Sequence, residues 1–269
     1  MKHPVVWTIP SRRIERARLR IASATLLATA LLFAGCAPYV HSPPGRLLLF
    51  EAAKSLEKGE TGIQAGGGGG LGSDIGFAGG FVRVRHGVAR NLEFRVDLSA
   101  LSLNANDGGI VGTDVLATAG AGVKYAFNPH FALAVDLAGG YWRGGGFLSP
   151  ELRLIAAYDN PHFIPFVDAG YYTSHPLSAN EVEAEVVVLF EEDEIENLGP
   201  PVFTQGWTAA FGFRIPTSSY VCCRLGSAII FGMRFTGAYY RPTDPSPRAG
   251  ESDSRIYWSS SVGFEVVIP

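Results

Sequence analysis

Apolar and polar residues alternate with a period of two in most of the apolar-rich stretches after residue 60. The stretch 114–127 shows the pattern most clearly. One face carries Val115, Ala117, Ala119, Ala121, Val123, Tyr125 and Phe127, and the other carries Asp114, Thr118, Gly120, Gly122 and Lys124. Successive side chains of a β-strand point to opposite faces, so this stretch predicts a strand with one apolar and one polar side. Repeated segments of this kind, separated by turn residues, are typical of a transmembrane β-barrel.

We predict that residues 60–269 form one all-β domain, an antiparallel up-and-down transmembrane β-barrel of about ten strands. The predicted strands are 61–71, 76–88, 91–103, 112–127, 131–142, 147–158, 163–173, 203–215, 226–240 and 255–267. Eight strands is one alternative, because the run from Gly66 to Gly70 contains only glycine and interior glycine weakens a strand. Twelve is the other alternative, because the stretch from Val182 to Phe190 could add a hairpin.

Tight connections alternate with longer ones between the predicted strands. The tight turns are Ala89-Arg90, Asn128-Pro129-His130 and Asp159 to His162, and the longer loops are Asn104 to Val111, Ser174 to Val202 and Arg241 to Ser254. Outer-membrane barrels have short periplasmic turns and longer extracellular loops. The pattern therefore predicts a location in a bacterial outer membrane, with both ends of the barrel in the periplasm and the long loops at the cell surface.

The large apolar residues and the charged residues of the predicted strands fall on opposite faces. The apolar face carries Val82, Val84, Leu92, Phe94, Val96, Leu98, Leu133, Val135, Leu137, Leu152, Leu154, Phe211, Phe213, Phe231, Met233, Phe235, Val262 and Phe264. The charged face carries Arg83, Arg85, Glu93, Arg95, Asp97, Asp114, Lys124, Asp136, Glu151, Arg153, Asp168, Arg214, Arg234 and Glu265. An arginine or lysine facing lipid at the midplane costs about 2–4 kcal/mol, so we predict that the charged face lines the lumen.

These fourteen lumen charges comprise seven basic and seven acidic residues. A barrel of about ten strands has a narrow interior, whereas wide aqueous channels need about sixteen. The balance of signs favours pairing across the lumen, which would close the barrel. A lining that selects a small polar solute remains the alternative. The formal net charge of −3 gives no indication of nucleic-acid binding.

An arginine-rich stretch (Arg12 to Arg20) precedes an apolar stretch (Ile21 to Phe33) that is too short to span a membrane. This arrangement predicts a secretory signal peptide over residues 1–35. The sequence Leu32-Phe33-Ala34-Gly35-Cys36 resembles the lipobox of bacterial lipoproteins, with Phe33 where that family usually has Leu. The resemblance implies that Cys36 is lipidated and becomes the mature N-terminus. An ordinary signal peptide with an incidental cysteine is the alternative.

Residues 36–59 are predicted to form a lipid-anchored tether between the modified cysteine and the barrel. Prolines at positions 38, 43 and 44 discourage regular structure. The stretch from Leu47 to Lys58 is amphipathic enough for a turn or two of helix.

The hairpin from Arg83 to Val96 resembles one that recurs in bacterial outer-membrane β-barrel proteins, with His86-Gly87 ending one strand and Asn91-Leu92-Glu93 opening the next. The last hairpin loosely resembles that of the lipid A deacylase family. That family needs a His-Ser pair on this strand, where a base activates the serine hydroxyl, and no histidine follows His175. We therefore expect no enzymatic activity and no cofactor, with a degenerate lipid A-modifying enzyme as an alternative.

Two further features lie in predicted connections. The acidic loop 181–196 includes Glu191, Glu192, Asp193 and Glu194, a possible cation-binding loop, although its spacing matches no calcium-loop pattern and a solvated loop is the alternative. Cys222 and Cys223 lie in the predicted last periplasmic turn, and adjacent cysteines form only a strained disulfide. No metal site is expected there.

The sequence thus predicts an outer-membrane β-barrel lipoprotein with a structural or surface-interaction role and a lumen closed by paired charges. Its expected partners are outer-membrane lipid, possible divalent cations at the acidic loop and an unknown surface partner. A narrow passive channel for small polar solutes is the main alternative.

Overall fold

The computed structural model describes residues 43–48, 50–72, 75–107, 110–178, 183–186, 194–197, 202–217, 226–240 and 253–269. These residues form twelve β-strands: β1 Thr61–Leu71, β2 Ile75–Ala89, β3 Leu92–Asp107, β4 Ile110–Asn128, β5 Phe131–Trp142, β6 Gly145–Ala157, β7 Ile164–Pro176, β8 Glu183–Val186, β9 Glu194–Asn197, β10 Thr204–Thr217, β11 Gly226–Tyr240 and β12 Asp253–Ile268. In the same part of the chain, no helix is long and apolar enough to cross a membrane.

Ten of these strands close into an antiparallel up-and-down barrel. The order is β3-β2-β1-β12-β11-β10-β7-β6-β5-β4, and the pairing of β3 with β4 closes the circle. The predicted ten-stranded barrel is therefore confirmed, and the bounds of β1, β5 and β11 coincide with the predicted ones. We call the end at which Thr61 pairs with Ile268 the turn end. The opposite end is the loop end, where β7 and β11 finish and the long connections after them begin.

Neither alternative strand number is realised. The glycine-rich β1 pairs along its whole length with β2 on one side and β12 on the other, so the count is not reduced to eight. The hairpin of β8 and β9 forms within the region expected for an extra pair. Its only described pairing with the wall joins Ile110, the first residue of β4, to Val186 of β8, so it lies beside the loop end of β4 and does not widen the barrel.

The two faces of the wall differ as the alternation predicts. Arg153 is 1% exposed and its neighbour Leu154 is 61% exposed, while Asp136 and Val135 are 2% and 55% exposed. Leu98 and Phe264 also present their side chains outward. Because large apolar side chains cover the exterior and charges are turned inward, the barrel has the inside-out polarity of a membrane-spanning protein.

The segment that precedes β1 occupies the lumen, and this corrects the predicted tether. We call residues 43–58 the inner segment; residue 49 lies outside the described residues. Positions 44–48 and 50–53 are all buried, and no helix forms in the described part of the segment, so the expected helical turns are absent. A turn follows, in which Glu60 N donates to Glu57 O (3.1 Å). Gly59 adopts a φ of +92° there, which L side chains rarely adopt, and the chain then enters β1.

Candidate functional site: the filled lumen

Glu51 is the central charge in the half of the lumen nearer the turn end, which we call the lower lumen. It is 1% exposed and forms an ion pair with Arg95, a second with Arg153 at 2.6 Å and a third with Lys124 at 3.4 Å. Arg83 lies 4.0 Å from the same carboxylate. The four cations belong to β2, β3, β4 and β6, so one carboxylate from the inner segment links distant parts of the wall.

Arg46 provides the opposite charge one level closer to the loop end. Its guanidinium pairs with Asp97 on β3 and with Asp136 on β5. The backbone carbonyl of Arg46 accepts a hydrogen bond of 2.7 Å from Arg234 on β11. Asp136 also forms an ion pair with Arg95 at 2.7 Å. Because Arg95 pairs with Glu51 and Asp136 pairs with Arg46, the ion pairs of Glu51 and Arg46 belong to one network. The inner segment therefore contributes one charge of each sign to the lumen.

The structure buries most of the residues predicted as lumen charges. Twelve of the fourteen are buried: Arg83, Arg85, Glu93, Arg95, Asp97, Lys124, Asp136, Glu151, Arg153, Asp168, Arg234 and Glu265. Pairs within the wall include Arg85–Glu265 at 2.8 Å, Arg153–Asp168 at 3.2 Å and Lys124–Glu93 at 3.5 Å.

Two of the fourteen lie apart from the central network. Arg214 is half-buried near the turn end, where it reaches Glu265 at 3.4 Å. Asp114 lies towards the loop end of β4 and accepts backbone hydrogen bonds from Val115 (2.7 Å) and Arg143 (2.9 Å). Asp114 is separated from the other charges because β4 is long and extends towards the loop end beyond them. The alternation in sequence predicts which face of the strand a residue occupies but not its distance from either end of the barrel.

Wall side chains also satisfy the backbone of the inner segment. Ser259 and Ser261 of β12 donate hydrogen bonds of 2.8 Å to the carbonyls of Leu47 and Leu48. Lys124 donates at 3.2 Å to the carbonyl of Ala52. A buried peptide group without a partner is costly, so an extended segment can remain inside a barrel only where the wall supplies such groups.

An apolar cluster surrounds the upper half of the inner segment. Its members are Leu47, Leu48, Phe77, Phe81, Leu101, Leu116 and Phe147, all of them buried. The two leucines come from the inner segment and the other five side chains from β2, β3, β4 and β6. This cluster excludes water from the part of the lumen above the charge network.

A second apolar cluster receives Phe50, which packs against Ile164, Phe166, Ala210 and Ile230. The ring also lies 5.6 Å from the guanidinium carbon of Arg234. At Gly232 a β-carbon would lie 2.6 Å from Cγ of Phe50, so the wall is reduced to bare backbone where the ring approaches it.

The sequence reasoning missed the inner segment, although a signal was present. Phe77, Phe81 and Phe147 have the parity of the lumen charges, and so do Leu101 and Leu116. Apolar side chains of this size facing a lumen need an apolar partner, because leaving them against water forfeits the free energy of burial. These inward-facing apolar residues therefore indicate that an apolar stretch of the chain fills the lumen. The inner segment is the apolar stretch that lies immediately before β1 in the sequence.

Several predicted site residues lie outside the part of the chain that the structure describes. These are Cys36, Cys222, Cys223, Glu191, Glu192 and Asp193; of Glu194 only the backbone, in β9, is described. Lipidation, the cysteine pair and cation binding by the acidic loop therefore stay predictions.

No protein-family model matches the chain, and no curated protein sequence matches it. Solved structures that resemble it include the β-domain of the Bordetella autotransporter BrkA, with 11% identity, a TM-score of 0.42, and coverage of 77% of this chain and 98% of that one. The translocator domain of the autotransporter NalP from Neisseria meningitidis has 10% identity and a TM-score of 0.41, covering 78% and 89%. The N-terminal barrel of Pseudomonas aeruginosa OprF has 10% identity and a TM-score of 0.29, covering 78% and 99%. The barrel architecture follows from the strand pairing, and likenesses at these values add nothing to it.

Proposed function

We propose that this protein is a bacterial outer-membrane β-barrel lipoprotein whose lumen is permanently filled by its own inner segment. Its role is structural or lies in surface interaction, through the long connections after β7 and β11, and not in solute passage. The observation that carries this proposal is the position of Glu51, which is 1% exposed among the cations Arg95, Arg153 and Lys124.

A passive channel needs a continuous water-filled path, and the inner segment blocks that path in two ways. Its charges complete an ion-pair network in the lower lumen, where Arg46 and Glu51 are almost fully buried. Above and beside this network, Leu48 and Phe50 are each 1% exposed within apolar clusters. Removing one partner from a buried ion pair costs about 3–5 kcal/mol, and the inner segment would have to break several pairs to leave.

The membrane assignment rests on the apolar exterior, and the outer membrane is the setting in which closed antiparallel barrels of this kind occur. The two long connections, after β7 and after β11, both leave the loop end, and this supports a surface position for that end and a periplasmic position for the turn end. The other connections do not distinguish the ends, because residues 90–91 and 129–130 at the turn end are matched in number by residues 108–109 and 143–144 at the loop end.

Planar-bilayer recording of two chains tests the proposal. One is the full mature chain, and the other lacks residues 43–58. Gel electrophoresis comes first: a difference in mobility between boiled and unboiled samples of the same chain establishes that this chain is a folded barrel. We expect no discrete conductance from the full chain and discrete openings from the shortened one. Discrete openings of the full chain would contradict the closed lumen and favour the passive channel.

A further inference from the structure

The inner segment crosses the barrel from one end to the other. At the turn end, Gly59 N donates to Gly87 O (2.8 Å) and Leu56 N donates to the carboxylate of Glu93 (3.1 Å). At the other end, Ser174 Oγ donates to the carbonyl of Pro43 (2.8 Å). Ser174 is the third residue from the loop end of β7, whereas Glu93 is the second residue of β3 at the turn end.

The contacts between these two points follow the same order. From the turn end upward, the wall contacts Ala52 through Lys124, then Glu51 through Arg153, and then Leu48 through Ser261. Exposure agrees, because Glu57 and Lys58 are exposed, positions 44–48 and 50–53 are buried, and Pro43 is half-buried. The chain therefore travels in one direction through the lumen.

We propose that the inner segment is an eleventh crossing of the membrane and that the chain preceding Pro43 is presented at the cell surface. This rests on the proposed function, which places the turn end in the periplasm. Pro43 and Thr61 then lie on opposite sides of the membrane although only eighteen positions separate them in sequence.

A lipid on Cys36 would consequently be held in the outer leaflet. Cys36 precedes Pro43 by seven residues, which span at most about 25 Å when fully extended. The apolar band of such barrels is about 25 Å tall, so the chain cannot pass over the rim and also reach the inner leaflet. The acyl chains then tie down the surface end of the inner segment while β1 ties down its periplasmic end. This gives the lipid a task that the barrel does not perform, because the barrel alone already holds the protein in the membrane.

The test labels single cysteines with a membrane-impermeant maleimide in intact cells and in permeabilised cells. The parent chain carries Cys222→Ser and Cys223→Ser; Ser42→Cys reports the end of the inner segment next to Pro43, and Lys58→Cys is the matched control at the exposed opposite end. We expect Ser42→Cys to label at least tenfold more than Lys58→Cys in intact cells, and the two to label equally after permeabilisation.

Two other results would overturn the crossing, and a third would remove only the lipid from the proposal. Labelling of Lys58→Cys alone in intact cells would invert the barrel and leave the filled lumen, and hence the closed conductance, intact. Protection of both positions in intact cells, with labelling of both after permeabilisation, would place both ends of the inner segment in the periplasm and contradict the crossing, while the filled lumen would still be judged by conductance. Labelling of Cys36 in the parent chain would show a free thiol and remove the lipid from the proposal without affecting the crossing.

Discussion

Glu51 and Arg153 form an ion pair of 2.6 Å inside the barrel although 102 residues separate them in sequence. Glu51 belongs to a segment that forms no strand, and Arg153 belongs to β6. The pair therefore joins the contents of the lumen to its wall. The predictions below follow from this relationship and from the packing around it.

Glu51→Gln should destabilise the barrel strongly. The substitution keeps the shape of the side chain but removes the buried carboxylate that Arg95, Arg153 and Lys124 share, at a cost of about 3–5 kcal/mol. The exposed Glu57 of the same segment supplies the control, and Glu57→Gln should change stability by no more than about 0.5 kcal/mol. Urea unfolding in detergent, followed by tryptophan fluorescence, measures both. Equal stability of the two variants would show that Glu51 is not buried in the network.

Substitutions of Phe50 and Gly232 should be coupled in their effects on the free energy of unfolding. Phe50→Ala leaves a cavity and should cost about 3–5 kcal/mol, whereas Gly232→Leu places atoms where the ring lies and should cost about 1–3 kcal/mol. In the double variant the new leucine fills the space left by the ring, so the loss should be smaller than the sum of the two. Unfolding measurements on the four chains of this cycle give the coupling. Simple additivity would mean that Phe50 does not approach β11.

Deleting residues 43–58 should produce a pore that prefers anions. The buried charges of the described wall are then seven basic and six acidic: Arg83, Arg85, Arg95, Lys124, Arg153, Arg234 and Arg255 against Glu93, Asp97, Asp136, Glu151, Asp168 and Glu265. The four cations around the former position of Glu51 add a local positive potential. The reversal potential in a potassium chloride gradient measures the preference. Cation preference would mean that the network has rearranged or that the acids dominate the narrowest point.

An arginine on the lipid-facing exterior should destabilise the folded barrel more when it lies near the middle of the membrane than when it lies near its surface. Val135 lies in the middle of β5 and is 55% exposed, so Val135→Arg should cost about 2–4 kcal/mol in a bilayer. Phe131 begins the same strand at the turn end and is 57% exposed, so Phe131→Arg should cost only about 0–1 kcal/mol. Folding into lipid vesicles, titrated with urea, compares the two. Equal costs would argue against lipid contact at Val135.

The wall could be predicted from the sequence because each strand carries its own information. Alternation with period two identifies a strand and its inward face without knowledge of its partners, as for Arg153 and Leu154. The glycines of β1 obscured this signal, since a residue without a side chain has no polarity to alternate. Their assignment to a strand depends on the flanking β2 and β12, which supply both ladders of hydrogen bonds.

The contents of the lumen could not be predicted in the same way. The inner segment takes its extended form from partners on β2, β3, β4, β6, β11 and β12, so no local period marks it. Its apolar residues Leu47, Leu48 and Phe50 suit a short amphipathic helix equally well when considered alone. The charge balance was also misleading, because the wall seemed complete without Arg46 and Glu51. Only the large apolar residues that face inward, such as Phe81, Phe147 and Leu116, indicated that a partner was missing.

The most direct measurement of the filled lumen is a nuclear Overhauser spectrum of the folded protein in detergent micelles, with methyl-labelled leucine and protonated phenylalanine rings. Leu48→Ile identifies the signals of Leu48 by their loss. The account predicts cross-peaks between the Leu48 methyl groups and the rings of Phe77, Phe81 or Phe147, which share its buried cluster. Leu48 methyl groups that contact only water or detergent would place the inner segment outside the barrel and contradict the account.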